Sequence, residues 1–169
     1  MRRIPHLLRH SLQVVFFVGL LMVMASCFFV VNTTGSFPLG IYMKTYGPVH
    51  WGDIVLVCPE DNEVNRYGRD HGLISYGVCL HRYGYLIKRV VALGGDEVDI
   101  SDRGVRVNGL SLRNSSRQQG IPSRVVGSVE LHEEALVMSE HPPSFDSRYF
   151  GAVSTDAICT PLKPLITWE

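Results

Sequence analysis

Residues 85–96 read YLIKRVVALGGD, and the fold follows from that stretch. The aliphatic, β-branched run 85–93 stops at Gly94-Gly95-Asp96, so it predicts a long buried strand closed by a hairpin turn. Lys88 and Arg89 interrupt the run, and Lys88 is bounded by Leu86, Ile87, Val90 and Val91. An amine in apolar company loses solvation, which favours its neutral form and lets it accept a proton. A lysine near a strand end is more often solvated, with its ammonium reaching to water, so Lys88 carries no function by itself.

Working outward, the same β pattern recurs in short runs broken by Gly, Pro, Asn and Asp. Residues 54–58 follow the Gly52-Asp53 turn as a strand. Residues 98–100 and 105–107 flank a turn at 101–104 and end at Asn108-Gly109, which reads as a hairpin with a second tight turn behind it. Residues 136–139 form a last short strand before the His141-Pro142-Pro143 break. Polar stretches separate these runs: 59–82 reads as a long surface insertion and 113–123 as a loop. The expected fold is mainly β, an antiparallel β-rich domain over residues 32–169.

That domain follows LQVVFFVGLLMVMASCFFVV, residues 12–31, a run without Asp, Glu, Lys or Arg. At about 1.5 Å per residue it spans a hydrocarbon layer of roughly 30 Å, so a single transmembrane anchor is expected there. Arg2, Arg3 and Arg9 precede it and the first charged residue after it is Lys44. The asymmetry places residues 1–11 in the cytoplasm and the domain outside. A cleaved signal peptide would need an Ala-x-Ala site, which is missing. Met24-Ala25-Ser26-Cys27 has the look of a lipidation box with Cys27 as acceptor, yet 28–31 continue the apolar run where a polar tether belongs.

Sixteen Lys and Arg balance sixteen Asp and Glu, and no long run of one sign occurs, so nothing in composition argues for nucleic acid as partner. Seven scattered histidines, of which only His6 and His10 stand at HxxxH spacing, and no CxxC spacing give no reason to expect a metal, or any cofactor. Of the cysteines, Cys58 and Cys79 bracket the polar insertion, and a disulfide closing it would remove roughly 3 kcal/mol of unfolded-state entropy. The competing reading keeps Cys58, Cys79 and Cys159 as free thiols, because any pairing leaves one over.

Four blocks, in order, resemble the signal peptidase family, the serine–lysine leader peptidases. Ser36-Phe37-Pro38 is similar to the nucleophile box Ser-x-x-Pro, with the proline one position early; Trp51-Gly52-Asp53-Ile54-Val55 is similar to a strand start; Lys88-Arg89 with Gly95-Asp96 matches the general-base box; and residues 144–151, SFDSRYFG, match the Ser-x-Asp-Ser-Arg-x-x-Gly box. The single anchor, the Ser-x-Pro-x-Gly-x-Tyr pattern of 36–42 and the last block look most like the conjugal-transfer branch, the TraF-type pilin-maturation peptidases. Taken singly the pieces are bland, since a serine before proline is usually a turn residue and Asp146-Ser147-Arg148 a turn with a surface ion pair.

The resemblance implies a single-pass enzyme of the bacterial inner membrane with a periplasmic catalytic domain. Its implied substrate is a conjugative pilin precursor of type IV secretion, with inner-membrane lipid and other mating-pair formation proteins as further partners and, in some members, cyclisation of the pilin. Ser36 would be the nucleophile and Lys88 its base, because a serine hydroxyl needs a neutral base to take its proton. The Ser36 N–H and the Thr34 hydroxyl would form the oxyanion hole. Ser144 would aim the Lys88 amine. Asp146 and Arg148 would support from behind, since a carboxylate in direct contact would raise the lysine's pKa. The rivals are a general type I signal peptidase and a non-catalytic scaffold of the conjugation apparatus.

Overall fold

The computed structural model describes residues 6–124 and 127–168; Arg2 and Arg3 of the charge asymmetry lie outside them. Helix α1, His6–Phe28, contains an apolar span from Arg9 to Phe28 of mean hydropathy 2.2, long and apolar enough to cross a membrane. The helix ends three residues before the apolar run does. Phe29–Asn32 instead form strand β1, paired antiparallel with β2, Leu39–Lys44, in the register Val30 to Tyr42 and Asn32 to Gly40. The β-branched and aromatic residues at 29–31 are good strand formers, and pairing settles what hydropathy alone could not. Lys44 reaches back from β2 and its Nζ donates to the Ser26 carbonyl, 2.8 Å away, in the last turn of α1, where helix carbonyls lack internal partners.

The chain continues through β3 (Ile54–Val57), α2 (Glu63–Asp70), β4 (Leu86–Ala92), β5 (Glu97–Ser101), β6 (Gly104–Val107), β7 (Leu110–Ser111), β8 (Gly127–Glu130), β9 (Glu134–Met138), α3 (Ser147–Phe150), β10 (Val153–Ser154) and β11 (Ile158–Trp168). Among the described residues these strands make a seven-stranded sheet in the order β1-β2-β11-β3-β4-β9-β10 and a four-stranded sheet in the order β7-β6-β5-β8. Adjacent strands run antiparallel throughout. The molecule is mainly β with one N-terminal apolar helix.

β4 is the strand that 85–93 announced, and both of its faces are covered. Val90 packs with Val55, Val137 and Phe145 on one side, and Ile87 with Phe37, Tyr42, Leu56 and Leu162 on the other. The turn after it, Leu93–Asp96, hands the chain to the second sheet: Asp96 caps the Leu93 N–H at 2.8 Å. Ala92, Val98, Ile100, Val105, Leu131 and Leu136 seal the two sheets together.

Two parts of the sequence reading need correction. Residues 59–82 are more than a surface loop: Asn62 caps α2 by accepting the Asn65 N–H at 2.9 Å, and Val64, Asn65 and Ile74 are buried. Cys58 and Cys79 are bonded, Cα atoms 5.6 Å apart, and staple this excursion to the core, while Cys27 and Cys159 are free and exposed. The strand at 136–139 is not the last, because β11 follows as the longest. Pro161 and Pro164 hid it, since proline is rarely found inside a sheet. Here Ile158–Leu162 pair with β3 and Leu162–Trp168 with β2, so each proline sits where only one neighbour needs hydrogen bonds.

Gly40 explains the glycine two positions after Pro38. A Cβ there would stand 2.2 Å from the Ile166 carbonyl oxygen, at the point where the β2–β11 register shifts.

Candidate active site

Ser36 lies in the loop 33–38 that joins the edge strand β1 to its neighbour β2. It is half-buried, whereas its neighbour Phe37 is 9% exposed and plugs the cluster of Tyr42, Leu56, Ile87 and Leu162. The Phe37 ring is 6.3 Å from that of Tyr42 and has the Arg89 guanidinium 5.9 Å from its centroid. The Tyr42 hydroxyl donates to the Pro38 carbonyl at 2.6 Å. The hydrophobic plug therefore fixes the loop beside Ser36.

Lys88 pairs with Val55 across the β3–β4 ladder and is 1% exposed. Strand alternation turns it to the face that carries Leu86 and Val90. Its Nζ donates to Ser144 Oγ at 2.6 Å. Burial drives the amine from its ordinary 10.5 down to about 8; the Asp146 charge pulls the other way and Arg148 pushes down again. Desolvation wins, so a substantial fraction is neutral near physiological pH.

Ser36, Lys88 and Ser144 line one cleft of about 440 Å³, walled by Val30, Thr34, Leu73 and Ile87. Ser36 also borders a second cavity of about 800 Å³ whose wall includes Arg89, Glu140, His141 and Trp168. The serine thus stands where two hollows meet, which suits a chain passing over it from one to the other.

Asp146 and Arg148 are both wholly buried, not the surface pair that such a turn usually gives. Asp146 Oδ1 accepts from Arg148 Nε at 2.8 Å and Oδ2 from Nη2 at 2.7 Å. The remaining guanidinium donors go to the carbonyls of Asn114, Ser139, His141 and Pro142, so one side chain organises the whole turn 139–146. Asp146 also caps α3 through the Arg148 N–H and accepts the Ser139 N–H at 3.0 Å. Its hydrogen bonds do not go to Ser144.

The Thr34 hydroxyl, exposed on the loop, donates to Asn32 Oδ1 at 2.9 Å and would have to rotate to serve an oxyanion. Two residues that sequence reasoning passed over, and a third that it quoted without assigning a role, belong to the surroundings of the site. Asn32 and Ser139 hydrogen-bond the Ser36 loop directly. Ser147 accepts the Val137 N–H at 2.9 Å and ties α3 to β9. Asn32 had a signal, as the first polar residue after the apolar run, and Ser147 stood in the Ser-x-Asp-Ser-Arg-x-x-Gly box; Ser139 had none. Among the described residues no group of His, Cys, Asp and Glu side chains could hold a metal ion.

A half-exposed serine sharing a cleft with a buried lysine whose pKa is pushed down to about 8 is an arrangement suited to base-assisted acyl transfer. The chain belongs to the signal peptidase family, peptidase S26, which it matches over residues 8–165. It is similar to the plasmid transfer protein TraF of Escherichia coli, 41% identical over 150 residues, covering 82% of each chain. It is also similar to the conjugal transfer protein TraF of Agrobacterium fabrum, 31% identical over 145 residues, again covering 82% of each. A signal peptidase I from Enterococcus faecalis aligns with a TM-score of 0.41 at 17% identity, over 70% of this chain and 100% of that one.

Proposed function

We propose that this chain is a membrane-anchored serine–lysine endopeptidase that matures a conjugative pilin precursor. The observation that carries the chemistry is the buried Lys88 amine, held by Ser144 in the same cleft as Ser36. The likeness to plasmid and conjugal transfer proteins supports the setting.

In this mechanism Ser36 Oγ attacks the scissile carbonyl while neutral Lys88 takes its proton, then returns it to the leaving amine. The Ser36 N–H stabilises the oxyanion, joined by the Thr34 hydroxyl after rotation away from Asn32. The acyl-enzyme is resolved by water, or by the amino terminus of the same pilin to give a cyclic product. The apolar helix is the anchor, with Arg9 on the cytoplasmic side and the β domain in the periplasm, so Ser36 meets substrate close to the bilayer. The substrate lies extended along the cleft between β1 and the start of β4, with a small residue next to the cut bond.

The test is to incubate the membrane-embedded chain and its Ser36→Ala and Lys88→Ala variants with candidate pilin precursor and weigh the products. Loss of processing in both variants supports the dyad. A product about 18 Da lighter than the linear cleaved peptide means that an amine, not water, resolved the acyl-enzyme. Undiminished processing by either variant removes the mechanism. Processing of secretory precursors in general, with pilin ignored, favours a general signal peptidase. Pilin assembly undiminished in Ser36→Ala favours a scaffold.

A further inference from the structure

The loop that carries Ser36 is turn and bend, outside any strand, and side chains hold it from two sides. From β1, Asn32 fills the inside of the loop and is 5% exposed. Its Nδ2 donates to the carbonyls of Thr34 at 3.1 Å, Phe37 at 2.9 Å and Pro38 at 3.0 Å, while Oδ1 accepts the Thr34 N–H at 3.1 Å and the Thr34 hydroxyl. From the end of β9, the Ser139 hydroxyl donates to the Ser36 carbonyl itself and accepts the His141 N–H at 3.1 Å. Ser139 is in turn fixed by its backbone: its N–H donates to Asp146 and its carbonyl accepts from Arg148.

We propose that Asn32 and Ser139 are positioning residues that jointly set where the Ser36 hydroxyl stands relative to Lys88; the proposal rests on Ser36 being the nucleophile. Both side chains are uncharged, and their hydrogen bonds go to the loop, to His141 and not to the Lys88 amine, so they govern geometry without tuning the base. The arrangement also gives the Asp146–Arg148 pair a route to the serine half of the dyad. It acts through Ser139 on the nucleophile's own carbonyl, whereas Ser144 serves the lysine half. A displacement of about 1 Å in a reacting group costs on the order of 100-fold in rate. Loss of either hold should therefore appear in kcat.

The test uses the full chain in membranes with pilin precursor as substrate, comparing Asn32→Ala, Ser139→Ala, Ser139→Cys and Ser139→Thr with wild type, and with Ser36→Ala and Lys88→Ala as references. For the two alanine variants kcat should fall about 10- to 100-fold, with KM within about twofold of wild type and the acid limb of kcat/KM at an unchanged pH. Ser139→Thr, which keeps the hydroxyl, should restore most of the rate, and Ser139→Cys, a weaker donor, should fall between. If Ser139→Ala does not fold, judged by thermal unfolding, the Thr and Cys variants carry the comparison. Wild-type kcat in Asn32→Ala or Ser139→Ala overturns the proposal, as does a rise confined to KM or a moved acid limb. Wild-type processing by Ser36→Ala is a different failure, because it removes the nucleophile and the function proposed above with it.

Discussion

Asp146 grips Arg148 with both carboxylate oxygens, at 2.8 and 2.7 Å, at a point with no solvent access, while the guanidinium gathers the carbonyls of the turn that leads to Ser144. Removing one partner of such a pair strands a buried charge and typically costs about 3–5 kcal/mol. Asp146→Asn should lower stability by that order, read from thermal or denaturant unfolding. Where the variant still folds, Lys88 loses the negative charge that holds its pKa up and keeps the positive one that presses it down. The acid limb of its pH–rate profile should then lie below that of wild type; a limb that rises instead would contradict the assignment of Lys88 as base.

As the proposed base, Lys88 should set the pH dependence. With the amine at about 8, kcat/KM should climb with pH and reach half its plateau near that value, as free enzyme must present the neutral amine. Its stability linkage has the same origin. The folded pKa lies below the ordinary 10.5, so between about 8 and 10.5 the unfolded chain holds a proton that the folded chain does not. Folding stability therefore rises with pH across that window, and below it a cost of about 3 kcal/mol is fully present. Lys88→Met removes this cost, and at neutral pH should give a protein that is inactive yet more resistant to urea than wild type.

Ser144→Ala deletes the acceptor at 2.6 Å that orients the Lys88 amine. The rate should drop by about tenfold or more with little change in KM, since the amine keeps its buried site but loses its direction. Steady-state kinetics on the pilin precursor separate the two parameters.

The Cys58–Cys79 bond fastens the excursion that carries α2 and contributes Leu73 to the cleft wall. Cys58→Ser with Cys79→Ser should cost roughly 3 kcal/mol in the simple chain-entropy account, and wild type should show the same loss under reductant. Gly40→Ala makes an independent check on the fold: its methyl would meet the Ile166 carbonyl oxygen at 2.2 Å, and the forced shift of β11 should cost about 1–3 kcal/mol.

Much of this molecule is legible in the sequence wherever one residue type has one structural use. The run around Lys88, the Gly94-Gly95-Asp96 turn and the hairpin before Asn108 sit in β4, the turn and β5–β6 where the pattern placed them. Hydropathy could not say where helix gives way to strand, because Phe29, Val30 and Val31 suit either until β2 is there to pair with them. β11 was hidden for the opposite reason: its prolines speak locally against a strand, and only the stagger of β3 and β2 on its two sides makes them tolerable. Ser139 acts across a separation of 103 residues, a relationship no local pattern can announce.

α1 passes into β1 without an intervening residue, and Lys44 pins its last turn to the neighbouring strand. A domain joined to its anchor by a flexible tether could sweep the bilayer surface and sample bonds at many depths. With α1 as the anchor proposed above, this one would be mounted more like a blade on a fixed arm, the height of Ser36 above the lipid set by the protein's own secondary structure. On the reading proposed here, a precursor is then chosen by the level at which its bond is presented as much as by the residues around it.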